Sequence, residues 1–120
     1  MIYICIPVFN RLAYTIKCLD SIRKQTYTGY KVIVCDDAST DGTYSHLQNH
    51  YPEVKVLRGN GNLWWSGGTN ACVEYALSVA QEGDYIFTLN NDTELYEITL
   101  EQLLRFQQKK GRSIVGCVSV

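Results

Sequence analysis

The 120-residue sequence has almost no net charge: eleven Lys and Arg against twelve Asp and Glu leave −1 at pH 7. A surface so balanced offers no basic field for a nucleic-acid backbone or an anionic membrane. Nucleic acid is therefore excluded as a partner, and any anionic ligand has to be held locally. No CxxC pair exists: Cys5, Cys18, Cys35, Cys72 and Cys117 are odd in number, widely spaced and mostly set in apolar runs. They read as buried thiols from a reducing compartment rather than as a disulfide framework or a metal cage. The apolar runs are of strand length, and Met1 opens into one of them without a basic stretch or cleavage site. The expectation is a chain with neither signal peptide nor transmembrane segment. Internal repeats, low-complexity tracts and linkers are also lacking.

With 46% hydrophobic residues, residues 1–120 suffice for one core and one domain. Ile2 to Val8 is an unbroken apolar run that suits a strand buried on both faces. Leu12, Ile16, Leu19 and Ile22 then recur at helical spacing. Val32 to Cys35 predicts a second buried strand, which stops at Asp36-Asp37. After the turn signal Asp41-Gly42, Tyr44 and Leu47 predict a short helix before Pro52, and Val54 to Leu57 a third strand. A helix is expected over Asn70 to Glu82, with Gly83 as its left-handed stop. Tyr85 to Leu89 predicts a fourth strand. Thr99 and Gln102 resemble a capping box opening a helix that closes at Lys109, Lys110 and Gly111. Ile114 to Val120 predicts a fifth strand. Alternating strands and helices, each strand nearly all apolar, predict an α/β fold: a mostly parallel sheet with helices on both faces and right-handed crossovers.

Ligands of such sheets sit beyond the carboxyl ends of the strands, near the point where strand order reverses. That rule puts Pro7 to Asn10, Asp36-Asp37 and Asn90 to Asp92 on one rim. No glycine lies between Pro7 and Arg11, so the first turn lacks the GxGxxG that a dinucleotide requires. Phe9 instead offers a face for a stacked base, and Asn10 can cap the following helix, although a plain strand-to-helix turn fits as well. A carboxylate at Asp36-Asp37 can accept from a pyrimidine N3–H or from ribose hydroxyls, while Asp36, Asp37, Ser39 and Asp41 can equally serve as turn and cap residues. Asp92 is an oxygen ligand suited to Mg2+ or Mn2+ bridging two phosphates. The segment 58–70 is too rich in glycine, asparagine and tryptophan for a simple connection and reads as a binding loop. Gly67 and Gly68 would admit a diphosphate or sugar close to the backbone, next to the positive end of the following helix. Trp64 and Trp65 can wall a sugar or pack into the core. Asn70, Asn90 and Asn91 complete the candidate set for donor sugar and diphosphate.

Taken together, Ile4-Cys5-Ile6-Pro7-Val8-Phe9-Asn10, Ser21 to Tyr27, Val32 to Thr43, Gly61 to Asn70 and Leu89 to Thr93 resemble family 2 glycosyltransferases with the GT-A fold, in particular their rhamnosyl- and galactofuranosyl-transferase-like branch. The resemblance implies a Rossmann-like nucleotide-binding half and covers the whole chain. It further implies that Pro7, Phe9 and Asp37 line a base pocket, that Asp36 supports the ribose side, and that Asp92 is the metal-binding carboxylate of a DxD motif whose first Asp is Asn90 here. The implied reaction is inverting transfer from a UDP- or dTDP-sugar to a glycan or lipid-linked saccharide in cell-surface polysaccharide synthesis. It would take place in the cytoplasm or at the inner face of the membrane. The acceptor-binding half and its catalytic base are expected outside this chain, and an exposed edge at the fifth strand could support a homo-oligomer. Two other readings compete from the sequence: a phospho-accepting receiver domain, which would put its acidic pair after the first strand whereas Asp36-Asp37 follows the second, and a nucleotide-sugar-binding module without catalysis.

Overall fold

The structure is a computed structural model and describes residues 1–111. Its elements run β1 (Ile2–Val8), α1 (Leu12–Arg23), β2 (Tyr30–Asp36), α2 (Thr43–His50), β3 (Lys55–Arg58), α3 (Trp64–Val79), β4 (Tyr85–Thr88) and α4 (Thr99–Lys110). The expected fifth strand, Ile114 to Val120, lies outside the described residues. The sheet has the order β3-β2-β1-β4 and every pairing is parallel. Ile2 stands opposite Tyr30 and Tyr85, and Asp36 opposite Val8 and Arg58, so the strand exits fall at one rim.

Period-2 alternation divides the core. Ile2, Ile4, Ile6 and Val8 of β1, with Val32 and Val34 of β2, pack toward Cys18, Leu19 and Ile22 of α1, Leu47 of α2 and Leu100 of α4. Tyr3, Cys5, Ile33 and Cys35 face the other way, onto Cys72 and Ala76 of α3. Each fully buried aliphatic side chain contributes about 1.5–3 kcal/mol, which is why β1, buried along its whole length, is uniformly apolar. The chain steps from β1 to β3 in one direction with α1 and α2 on one face. It then crosses back over α3, on the opposite face, to reach β4, so all three crossovers share one hand. Strand order reverses between β1 and β4, and the crevice expected of such folds opens there. A receiver-type sheet would instead set β1 between β2 and β3; here β2 lies between them, and that reading is discarded.

Three local expectations fail. Helix α3 starts at Trp64, six residues before Asn70, and ends at Val79 with an extended Ala80. Gly83 does adopt positive φ (92°) but serves the turn in which Asp84 N–H donates to the Gln81 carbonyl. The capping box is not formed either: Thr99 is the first helical residue, Ile98 precedes it, and no side-chain cap bond is made. The close of α4 is as expected, with Gly111 at φ 71°. Among the described residues, no helix is long and apolar enough to cross a membrane.

Candidate functional site

The rim is organised by Asp37. The residue is 5% exposed, and its carboxylate accepts from the N–H of Gly61 (2.8 Å), Leu63 (3.0 Å) and Trp64 (3.1 Å). These are donors that a loop and a helix start leave without intrahelical partners, so the residue that follows β2 caps α3 across 24 to 27 positions of sequence. Trp64, held in this clamp, takes φ 59°, a left-handed conformation costing a side-chain-bearing residue about 1–2 kcal/mol. A Cβ at Gly59 would collide with the Asp37 carboxylate and with Leu63, so glycine there is a packing requirement.

Asp36 faces the α1–α2 side and is completely buried. Its Oδ1 accepts from Ser39 N–H (3.0 Å), and its Oδ2 has no hydrogen-bond partner among the described residues. Ser39 Oγ in turn accepts from Asn10 N–H (2.7 Å), and Asn10 Oδ1 accepts from Thr40 N–H (2.8 Å). Asn10 thus ties the β1 exit to the β2 exit and does not cap α1. The N-terminus of α1 is capped from a distance, by Asp41 Oδ2 on Leu12 N–H (3.0 Å). Burial pushes the Asp41 carboxyl up, but bonds from the Thr43 hydroxyl and the Leu12 and Thr43 N–H groups outweigh it and hold the group below the usual carboxylate range. Asn10 (φ 54°), Arg11 (φ 57°) and Ala38 (φ 61°) are left-handed, and with Trp64 they make up the non-glycine residues of positive φ among the described residues. All four lie at the exits of β1 and β2 or at the start of α3, and strain of this kind concentrates at functional sites.

Neither tryptophan enters the core: Trp64 is 78% and Trp65 57% exposed, beside Phe9 at 56%. Gly67 and Gly68 lie inside the first turns of α3 rather than in a loop. A Cβ at Gly68 would sit 3.0 Å from the Pro7 Cβ; the glycine lets the helix approach β1 and is buried. Asn70 is exposed on the same helix. Trp65 Nε1 donates to Asn90 Oδ1 at 2.6 Å, linking α3 to the exit of β4. That exit is braced on α1: Asn91 Nδ2 donates to the Thr15 hydroxyl (3.1 Å), and Leu95 N–H to Ser21 Oγ (3.0 Å). Asp92 is exposed in the turn closed by Thr93 N–H on the Asn90 carbonyl (3.2 Å). Burial pushes the nearby Cys18 thiol up to about 12, with the Asp92 and Glu94 charges adding to it.

The structure therefore brings Pro7, Phe9, Asn10, Asp37, Trp65, Asn90 and Asp92 to one rim, and places Asp36 and Asn91 behind it as supports. Sequence reasoning passed over Ser39 as a bridge and Arg58, whose guanidinium lies 3.9 Å from the Tyr44 ring centroid at the carboxyl end of β3. Arg58 opens the glycine-rich segment 58–70, and that place at a strand exit and loop start was its signal in the sequence. No group of three His, Cys, Asp or Glu side chains among the described residues forms a metal cage. Asp92 fits a cation delivered with a ligand, since one protein carboxylate plus phosphate oxygens satisfies such ions.

The family model for glycosyl transferase family 2 matches residues 3–120. The chain is 29% identical over 118 residues to the glycosyltransferase GlyG of Streptococcus pneumoniae serotype 4, an alignment covering 96% of this chain and 38% of that protein. It is 33% identical over 107 residues to the chondroitin synthase of Escherichia coli, covering 87% of this chain and 15% of that one. Among solved structures, S. aureus TarS in complex with UDP matches with a TM-score of 0.76 at 22% identity, covering 90% of this chain and 32% of that one. The mannosyltransferase PcManGT from Pyrobaculum calidifontis in complex with GDP-Man and Mn2+ matches with a TM-score of 0.76 at 20% identity, covering 88% and 32%. At these identities the structural likeness is one of fold. The chain spans 15% to 38% of the length of these four proteins.

Proposed function

Because this chain belongs to glycosyl transferase family 2, we infer that it is the donor-binding part of an inverting glycosyltransferase using a UDP- or dTDP-sugar. The observation that carries this reading is the meeting at one rim of an exposed ring (Phe9), a clamped carboxylate (Asp37) and an exposed carboxylate (Asp92), beside the point where strand order reverses. Phe9 and Pro7 form the base wall. Asp37, with three of about four acceptor positions taken by N–H groups, keeps one for a base N3–H. Asp36 acts on the ribose side through Ser39 and Asn10. Trp65, Gly67, Asn70 and Asn90 surround the sugar and diphosphate, while Gly68 and Asn91 hold that wall in place.

Asp92 with both phosphates would hold Mg2+ or Mn2+, which when bound neutralises charge on the departing diphosphate. The presence of UDP and of GDP-Man with Mn2+ in fold neighbours supports this assignment. In the transfer, an acceptor hydroxyl forms a bond to the anomeric carbon as the bond to the diphosphate breaks, and the hydroxyl proton passes to a base. We place that base and the acceptor surface in a further half, outside residues 1–120, because the exposed Glu94 and Glu97 have no partner among the described residues that aims them at an acceptor.

The acceptor is proposed to be a glycan or lipid-linked saccharide of cell-surface polysaccharide synthesis, a role in keeping with the name of the chondroitin synthase relative. The sequence Gly61 to Asn70 and Leu89 to Thr93 supports a rhamnosyl- or galactofuranosyl-type branch. A cytoplasmic site, peripheral to the membrane, suits the free thiols of Cys5, Cys18, Cys35 and Cys72. A homo-oligomer through the sheet edge is part of the same proposal, and light scattering reads it. Calorimetric titration of UDP and dTDP, with Mn2+ and then with EDTA, tests the donor site. Saturable binding that Asp92→Ala strips of its metal dependence is expected; equal metal dependence in variant and parent would count against Asp92.

A further inference from the structure

The hydrogen bond between Trp65 and Asn90 fixes which way the Asn90 amide faces. An indole N–H only donates, so the atom 2.6 Å from Trp65 Nε1 must be the carbonyl oxygen Oδ1. The Nδ2 hydrogens are thereby turned away from Trp65, and they hold no hydrogen bond to the protein among the described residues. Asn90 is exposed and shares with Asp92 the turn closed by Thr93 N–H on the Asn90 carbonyl. The turn therefore carries a pair of neutral donors and one carboxylate, where two carboxylates would have carried charge alone.

We propose that Asn90 is a positioning residue for the diphosphate: with Oδ1 held by Trp65, it gives its Nδ2 hydrogens to a phosphate oxygen and leaves Asp92 as the one protein carboxylate for the cation. The proposal rests on the donor-site reading. Its consequence is a site less dependent on metal than a two-carboxylate site. An amide N–H attracts a diphosphate whether or not a cation is present, whereas a second carboxylate attracts the cation and repels the bare anion. Trp65 sets this polarity, since without an indole N–H the amide is free to turn either end toward the ligand.

The test is titration of UDP into the chain and into Asn90→Asp, Asn90→Ala and Trp65→Phe, each shown folded by circular dichroism, in Mn2+ and in EDTA. Asn90→Asp should raise the ratio of the EDTA to the Mn2+ dissociation constant by about tenfold or more, the effect of one added charge near the phosphates. Asn90→Ala should weaken binding in EDTA, and Trp65→Phe, which keeps a ring but loses the donor, should weaken it in the same direction. The effects of Ala at 90 and Phe at 65 should be less than additive when combined. A ratio for Asn90→Asp within about twofold of the parent would overturn the proposal. If Asn90→Asp does not fold, unchanged EDTA binding in both other variants would do so. A folded parent that binds no UDP in either buffer overturns the donor-site reading and this proposal with it, which separates that failure from an unchanged ratio in a parent that binds.

Discussion

Replacing Asp37 by Asn removes a charge and turns one acceptor oxygen into a donor while keeping the shape. In the parent, Oδ1 serves Gly61 N–H and Oδ2 serves Leu63 and Trp64 N–H. Whichever way the amide turns, at least one of these N–H groups meets an NH2 instead of an acceptor. Hydrogen bonds to charged groups are worth about 1.5–3 kcal/mol each and a stranded buried donor costs about 1–3 kcal/mol. Leu63 and Gly61 lie near the surface, and water takes up part of that loss. The net expectation is about 2–4 kcal/mol, a large share of the about 5–15 kcal/mol that holds a domain folded. For a chain of this size about 4 °C of melting temperature goes with each kcal/mol, so thermal unfolding followed by circular dichroism should shift down by roughly 8–16 °C. Asp92→Asn, at an exposed carboxylate with no hydrogen bond among the described residues, serves as the control and should leave the transition in place. A melting temperature for Asp37→Asn within about 2 °C of the parent would refute the claim that Asp37 clamps the loop to α3.

Gly68→Ala sets helix propensity, which favours Ala by about 1 kcal/mol, against a Cβ 3.0 Å from that of Pro7. Because Pro7 is fixed in the central strand, overpacking of about 1–3 kcal/mol should win and lower the urea midpoint; a raised midpoint would show that β1 yields. Asp41 has a depressed folded pKa, so its contribution is present above the unfolded value and fades as pH falls through the folded one. The gap in urea stability between parent and Asp41→Asn, about 1.5–3 kcal/mol at most for a hydrogen bond to a charged oxygen lost to an amide, should be full at pH 7 and close as the pH falls below the ordinary carboxylate range; a gap independent of pH would contradict the role of the Asp41 charge at the cap. Burial pushes the Cys5 thiol up to about 11 and the Cys72 thiol up to about 12, so a Cys117→Ser chain should react with a thiol reagent at neutral pH only after unfolding. Rapid reaction of the native chain would place a thiolate where the structure has a core.

The elements that bury uniform apolar runs were legible in the sequence. Ile2 to Val8 and Val32 to Cys35 need only period and hydrophobicity to declare buried parallel strands, and the rim followed from where those runs break. What could not be read locally rests on contacts distant in sequence. The segment 64–69 looked like loop because Gly67-Gly68 disfavours helix, yet Asp37 supplies the capping acceptor from the exit of β2, and Pro7 demands the glycine at 68. Asn10 has the composition of a cap, but Ser39 and Thr40 of another loop claim it. At Thr99 the box residues are in place, whereas the backbone enters the helix one residue earlier, so the hydroxyl has no cap to make. The exposure of both tryptophans was undecidable from sequence, since a core and a ligand wall call for the same side chains.

The central claim, that the carboxyl rim of β1, β2 and β4 is a donor-nucleotide site, is tested most directly by a crystal structure of the chain grown with UDP and Mn2+. The account predicts the base against Phe9 with its N3–H on Asp37, and the diphosphate between Asp92 and the Nδ2 of Asn90. A nucleotide bound elsewhere on the chain, with this rim left to water, would contradict it.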